Sequence, residues 1–187
     1  MMSKQSREKQ KTQRQQKSLS GFWKEKNPIL IFLLVFSVLM IAFYAVWVTD
    51  FFKEHVFNPA LQVNAKIASF ILNIFGYGTT ATGKEIFNER FTISVRRGCD
   101  AIEPVALFVC AVLSFPASLK QKLPGIGLGV LFLLTVNLIR IVSLFLTGIY
   151  APSFFELMHM EVWQVVFIML AVASWMIWIR WVMKSKK

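Results

Sequence analysis

Three residues of the chain, Cys99, Arg140 and His159, have the side chains needed for acyl transfer. A thiolate can attack a peptide carbonyl and form a thioester, and a histidine can carry the proton to the leaving amine. An arginine can stabilise the oxyanion of the tetrahedral intermediate. Such chemistry requires that the three side chains meet, so the segments that carry them must end on the same side of the fold.

Cys99 is the candidate nucleophile. It opens an apolar run, and Arg96 and Arg97 precede it closely. A helix N-terminus and neighbouring cations both stabilise a thiolate, which predicts a reactive cysteine at this position. Cys110 lies eleven residues further along the same predicted helix, about 16 Å away at the α-helical rise, so a disulfide is excluded and Cys110 is interpreted as a small apolar filler.

Arg140 lies inside the next apolar run, about 25 Å along a helix counted from Leu123. An arginine at that depth needs a partner, and intramembrane arginines are functional candidates by default. Asn137, one turn earlier on the same face, could orient it. Two structural alternatives stay open: the side chain could extend to lipid headgroups, or it could pair with Glu103.

His159 is the candidate proton carrier, and it falls in the predicted loop 151–160 before the last apolar run. Taken alone, a histidine there is more often a surface residue. His55 is the only other histidine of the sequence. We favour His159 because the short connection keeps it near the mouth of the bundle, whereas His55 belongs to a more peripheral segment.

Composition places these residues in an integral membrane protein. Of the 187 residues, 56% are hydrophobic and 14% aromatic, and the mean hydropathy is +0.55, well above a soluble domain. Runs of about 20 apolar residues span a bilayer. The pattern predicts a basic, disordered tail over 1–27 and a single membrane-embedded domain over 28–187. Within that domain we predict four spans and an outer segment: about 28–49, 100–119, 123–150 and 161–182, with 50–99 outside.

The net charge of +11 is distributed in a way typical of membrane topology rather than nucleic-acid binding. Lysines and arginines cluster in the first 26 residues, at Lys120 and Lys122, and after Arg180. The positive-inside rule therefore predicts cytoplasmic termini and a cytoplasmic loop between the second and third spans. Cys99 and His159 would then lie on the extracytoplasmic face, and the basic tail would contact membrane lipids rather than nucleic acid.

The outer segment has predicted structure of its own. Asn58 is predicted to cap a helix with Pro59 at its first position, and the glycines at 76 and 78 predict its end. Four polar residues form one stripe on this otherwise apolar helix: Gln62, Lys66, Ser69 and Asn73. Alternation between residues 84 and 95, with a turn at Asn88-Glu89, predicts a hairpin that leads to Cys99. The predicted fold is an all-α polytopic membrane protein with an amphipathic helix and a small β-hairpin outside.

The order of these motifs resembles the exosortase/archaeosortase family. The resemblance rests on the segment Val95-Arg96-Arg97-Gly98-Cys99-Asp100, on Asn137-Leu138-Ile139-Arg140, and on His159 before the last helix. It covers roughly residues 58–182 of a chain that is short for the family. The family usually has a small residue and then glycine after the cysteine, whereas this chain has Asp100 and Ala101.

The resemblance implies a membrane cysteine protease or transpeptidase in a bacterial plasma membrane, with Cys99, Arg140 and His159 as catalytic residues. Its substrates would be exported proteins with a C-terminal motif, one transmembrane helix and a basic tail. The new C-terminus would pass to an amine-bearing acceptor. No cofactor or metal is expected, since the sequence has neither a metal-ligand cluster nor a phosphate loop. Two alternatives are a non-enzymatic assembly factor or anchor and, less in keeping with four unbroken spans, a small transporter.

Overall fold

A computed structural model describes residues 28–96 and 98–184, and these are mostly helical. The predicted disordered tail over 1–27 lies outside the described residues, as do Arg97 and 185–187. The elements in chain order are α1 (Pro28–Trp47), α2 (Asp50–Phe52), a π-helical turn (Lys53–Phe57), α3 (Asn58–Ile74), β1 (Thr80–Thr82), β2 (Glu85–Phe87), β3 (Thr92–Ser94), α4 (Ile102–Ser114), α5 (Leu119–Tyr150), a 3-10 turn (Pro152–Phe154), α6 (Phe155–Leu157), a second π-helical turn (Met158–Val162) and α7 (Trp163–Lys184).

Three helical stretches of the described chain are long and apolar enough to cross a membrane: α1, α5 and the run Pro152–Lys184 that ends in α7. The predicted span 100–119 is shorter than expected, because α4 has 13 residues and extends only about 20 Å. It stops at Ser114 since Phe115, with ψ 139, is extended before Pro116. The fourth complete span is therefore not confirmed.

The helix predicted for the segment 50–99 begins earlier than the sequence indicates. Thr49 caps it, and its hydroxyl accepts a hydrogen bond from the Phe52 amide at 3.3 Å. From Asp50 the helical backbone runs through the π turn into α3, so Asn58 lies within a helical run and the prediction that it is a cap is wrong. The predicted end is confirmed, because α3 ends at Ile74 and Gly76 follows with φ 82.

The second half of the polar stripe on α3 forms hydrogen bonds with the residue that precedes the sheet. The Ser69 and Thr79 hydroxyls lie 2.9 Å apart, and the Asn73 side chain donates to the Thr79 carbonyl at 2.8 Å and accepts from the Thr79 amide at 2.5 Å. These bonds fix the start of the sheet against the helix. On another face α3 exposes an apolar stripe made of Val63, Ile67, Phe70 and Ile74.

The sheet has three short antiparallel strands in the order β1-β2-β3. The predicted hairpin is confirmed as β2 and β3, in which Ile86 pairs with Ile93, and β1 is an additional strand that the sequence pattern did not indicate. Asn88 makes the turn, since its side-chain oxygen accepts from the amides of Arg90 and Phe91. After β3 the Val95 amide donates a hydrogen bond to the Lys84 carbonyl, and this bond directs the chain toward Cys99.

Two apolar clusters hold the described part together. The outer cluster joins α3, the sheet and the second half of α5, and Cys99 belongs to it. The inner cluster joins α4, the first half of α5 and α7. Glycines make this packing possible, because a Cβ at Gly125 would overlap the Trp178 ring and one at Gly129 would overlap Phe108. Helix α1 contributes no buried residue and lies at the periphery.

Candidate active site

Cys99 lies in a tight turn between β3 and α4. Its amide donates to the Arg96 carbonyl at 2.9 Å, and Gly98 beside it has φ 86, a backbone conformation that favours glycine. Helix α4 begins only at Ile102, so Cys99 precedes the helix rather than occupying its first turn. The side chain is 4% exposed and packs in the outer cluster. A helix dipole therefore acts on this thiol less directly than the sequence indicates.

His159 lies next to Cys99, although 60 residues separate them in the chain. Its Nε2 is 3.0 Å from Cys99 Sγ, close enough for the thiol to donate a hydrogen bond to a neutral imidazole. His159 belongs to the π-helical turn Met158–Val162, which corrects the prediction of a loop. Such turns are rare and occur frequently at functional sites. The imidazole stacks on Phe155, with the ring centroids 5.8 Å apart and the planes 19° from parallel.

Arg140 ties the two segments together. Its Nη1 donates to the Gly98 carbonyl at 2.6 Å and its Nη2 donates to the His159 carbonyl at 3.3 Å. The guanidinium lies 6.0 Å from the centre of the Phe167 ring. The side chain is only 6% exposed, which excludes the alternative of an arginine extended to headgroups. One cation thus fixes the backbone on both sides of the Cys99–His159 pair.

Two expected partners of Arg140 are not found among the described residues. No ion pair within that part of the chain joins Arg140 to Glu103. Asn137 is fully buried on α5, but neither its amide nitrogen nor its oxygen has a hydrogen-bond partner there. Arg140 is therefore held by backbone carbonyls, and Asn137 does not orient it through a hydrogen bond.

The rival histidine lies elsewhere. His55 is exposed in the first π-helical turn, where its Nδ1 is 3.1 Å from the Phe51 carbonyl and its ring stacks on the Phe51 ring. Within the described part of the chain, its hydrogen bond and its ring contact are both with Phe51 and neither reaches Cys99 or Arg140. Of the two histidines, His159 is the one that the fold places beside the cysteine.

The thiol of Cys99 is not strongly activated at rest. Burial raises its pKa above the usual thiol value, and Asp100 raises it further, while Arg140 and a hydrogen bond from the Arg96 backbone lower it. Among the described residues, Arg140 is thus the cation that lowers the pKa of Cys99. The pKa is nevertheless raised overall, whereas the arginines next to Cys99 in the sequence predict a lowered pKa. A neutral thiol beside a neutral imidazole is the resting arrangement that follows.

Alkylation of Cys99 by iodoacetamide should therefore depend steeply on pH. Since only the thiolate reacts and its pKa is raised, the rate should be low at neutral pH and rise about tenfold per pH unit toward that pKa. The rate can be followed by intact-protein mass spectrometry, with a Cys99→Ala protein to subtract reaction at Cys110. A rate that is already constant from neutral pH upward would indicate a preformed thiolate instead.

A cavity of about 400 Å³ is bordered by Arg140, by His159 and by the two residues that flank Cys99 in the chain. Its walls come from α1, α4 and α7, with Gly98, Asp100, Arg140 and His159 at the end near the cysteine. Met40 and Tyr44 of α1 form one side, and Leu107, Phe167 and Ile168 supply apolar surface. An extended peptide with apolar neighbours suits such a space.

The sequence did not indicate several residues that shape this site. Ala101 has φ 62 and ψ 3, a left-handed backbone conformation that favours glycine. This conformation explains why the pattern that the sequence resembles has glycine at this position. The carbonyl of Gly98 anchors Arg140. The wall residues Met40 and Tyr44 carry no chemical signal in the sequence, because only packing brings them near the site.

The arrangement contains a nucleophile, a base within hydrogen-bond distance and a buried cation, which together can perform acyl transfer. No curated protein and no solved structure matches the chain. The sequence model of one protein family, described as transmembrane exosortase (Exosortase_EpsH), matches residues 28–179. That range includes Cys99, Arg140 and His159 and most of the chain, and the protein therefore belongs to the transmembrane exosortase family.

Proposed function

We propose that the protein is a cysteine transpeptidase that cleaves a C-terminal sorting signal through a thioester on Cys99. The observation that carries this proposal is the 3.0 Å separation between Cys99 Sγ and His159 Nε2, with Arg140 bonded to the backbone on both sides. Family membership adds a transpeptidase-type role in protein sorting. Surface histidines and structural arginines are common, but this three-residue geometry is what thiol catalysis requires.

In the first half of the reaction, Cys99 loses its proton to His159 as the sulfur attacks the scissile carbonyl. The new C–S bond forms, and the charge on the carbonyl oxygen is stabilised by the guanidinium, whose Nε has no partner among the described residues. His159 then returns the proton to the leaving amine as the C–N bond breaks. The thioester and a neutral imidazole remain.

In the second half, an amine attacks the thioester carbonyl, a C–N bond forms and the Cys99 sulfur leaves. Hydrolysis would follow the same path with water. The substrate we propose is an exported protein with a C-terminal motif, one transmembrane helix and a basic tail. Its helix would lie beside the bundle and its motif in the cavity between α1, α4 and α7. The active site would face the extracytoplasmic side of a bacterial plasma membrane, with both termini cytoplasmic, as the positive-inside rule predicts.

Trapping the covalent intermediate tests this proposal directly. Cells producing the full chain are lysed at acidic pH, where thioesters persist, and the protein is isolated in detergent and digested. We expect a partner-derived peptide attached to the Cys99 peptide, released by hydroxylamine and ending at one recurrent sequence. The mass of the released peptide would identify the sorting motif.

A Cys110→Ser protein is the matched control: Cys110 lies buried in α4 and should carry no adduct, so the adduct on Cys99 should be unchanged in this variant. Hydroxylamine separates a thioester from a disulfide, because disulfides resist it and yield to reductant. An unmodified Cys99 in cells that contain processed partner protein would contradict the proposed function.

A further inference from the structure

The cavity beside Cys99 has an acidic side that the steps above do not use. Its lining includes two acids, Asp100 and Glu103, together with Arg140, His159 and Tyr44. Arg140 is already engaged by the Gly98 and His159 carbonyls, and His159 by the thiol. Two carboxyl groups therefore lie in the space next to the nucleophile, with no cation paired to either among the described residues.

Asp100 is buried in an unusual way. It is 2% exposed and lines the cavity, and its Oδ1 accepts a hydrogen bond from the Ile102 amide at 2.9 Å. Its Oδ2 has no hydrogen-bond partner within the described ranges. A buried carboxylate oxygen without a donor is costly, and native structures rarely keep one without a ligand or partner. One oxygen thus completes the turn before α4, and the other is free for a ligand donor.

Glu103 lies on the first turn of α4, three residues after Asp100. Unlike Asp100 it is exposed while still lining the cavity, which places one carboxyl group deep in the space and one nearer its mouth. Two carboxyl groups spaced along one cavity attract a cation, whose charge favours their ionised form, and hold it by charge-assisted hydrogen bonds. The other walls are largely apolar, and Asp100 and Glu103 are the two acidic residues of the lining.

We propose that Asp100 and Glu103 form the binding site for a protonated primary amine, the acceptor that resolves the thioester. This inference rests on the proposed function, because an amine site beside Cys99 has a use only if Cys99 carries an acyl group. Water needs no carboxylates to enter the cavity, whereas a protonated amine is attracted by them. The acidic side of the cavity thus selects the second substrate, and its carboxylates favour transfer over hydrolysis.

The proton balance of the transfer fits two carboxyl groups and one imidazole. The ammonium bound at Asp100 gives one proton to a carboxylate and so becomes a nucleophilic amine. The carboxylate passes this proton to water. The amine nitrogen forms a C–N bond with the thioester carbonyl as the C–S bond breaks. Its second surplus proton goes to His159, which returns it to the Cys99 sulfur. The products are the new amide and the resting thiol–imidazole pair.

The test uses an acyl group that requires no knowledge of the natural substrate. The full-length protein in detergent is acetylated with p-nitrophenyl acetate, excess ester is removed by gel filtration, and acetylation of Cys99 is verified by mass spectrometry. The acetyl-protein is then exposed at neutral pH to methylamine, which is protonated, together with hydroxylamine, which is uncharged. The measured quantity is the ratio of N-methylacetamide to acetohydroxamate, corrected with a Cys99→Ala protein.

Asp100→Asn is the informative variant, because asparagine keeps an oxygen for the Ile102 amide and removes the charge. We expect the product ratio to fall about tenfold or more in Asp100→Asn, and severalfold in the exposed and structurally undemanding Glu103→Gln. Glu89→Gln, an exposed acid outside this cavity, is the charge-matched control and should keep the wild-type ratio.

The outcomes separate the amine site from the proposed function. If Asp100→Asn and Glu103→Gln are both acetylated normally and both keep the wild-type product ratio, the amine site is overturned. The assignment of Cys99 as the nucleophile would then still stand. An equal fall in Glu89→Gln would also overturn the amine site, since surface charge alone would then be responsible. Failure of Cys99 to become acetylated would overturn both, because no thioester would exist for an amine to resolve.

Discussion

Replacement of Cys99 by alanine or serine should abolish processing of the partner proteins. A hydroxyl at this position is a far weaker nucleophile than a thiol, and alanine has none, so the rate should drop by about 10⁴-fold or more. The measurement is the size of an exported partner on an immunoblot of membranes, where the unprocessed form retains its C-terminal helix and basic tail.

The control for this replacement is Cys110→Ser, which removes the other described thiol and should leave processing near the wild-type level. Cys110 is buried on α4, eight residues after the helix begins at Ile102 and eleven residues after Cys99. Both variants should insert in the membrane in normal amounts, because neither side chain carries charge. Normal processing by the Cys99→Ala protein would exclude catalysis by this thiol and favour an assembly factor or anchor.

Replacement of His159 by alanine should lower the rate of processing by about 10²- to 10⁴-fold, the range that general acid–base catalysis provides. The imidazole is the group within 3.0 Å of the thiol, and burial makes the thiolate unfavourable without a proton acceptor beside it. The same immunoblot, followed over time after partner synthesis is induced, gives the rate.

His55→Ala is the matched control, because it removes the other histidine, which is exposed and stacked on Phe51. It should process the partner at nearly the wild-type rate. A large loss at His55 together with normal processing at His159 would reverse the assignment of the base. The His159 backbone carbonyl still accepts from Arg140 in the alanine variant, so the loss would report the imidazole rather than a collapse of the site.

The length of an apolar run predicts the extent of a helix in this fold wherever the helix is regular. The extents of α1 and α5 are close to those expected, since a run of apolar residues without a backbone break forms a continuous helix in lipid. Helix α4 differs because the extended backbone at Phe115 ends it before Pro116, although hydropathy continues beyond that point. Hydropathy measures the environment that a segment prefers, and it does not register where the helix stops.

The site was predictable in its residue types and less so in its electrostatics. A cysteine, an arginine and a histidine near the ends of successive apolar segments predict that the three side chains lie close together. The structure places Cys99, Arg140 and His159 within hydrogen-bond distance of one another or of the adjoining backbone. The direction of the Cys99 pKa could not be obtained in the same way, because burial by neighbours distant in the chain outweighs nearby charges.

Local backbone geometry was the least predictable part. The left-handed conformation at Ala101 and the π-helical turn at His159 depend on how α4 and α7 pack, and alanine or histidine in a sequence carries no signal for either. The additional strand β1 was missed for a similar reason. Its residues, Thr80–Thr82, are too few to show alternation, and Thr79 is fixed by side chains from α3.

The bridge that Arg140 makes between Gly98 and His159 has a consequence for the protein during its synthesis. The ribosome adds Cys99 first, Arg140 later and His159 after both. Until the helix that follows His159 has entered the membrane, the cysteine has no imidazole beside it and the guanidinium has only one of its two carbonyls. A half-made chain thus holds the thiol without its base, and the Cys99–His159 pair forms only after the last part of the chain has packed against the rest.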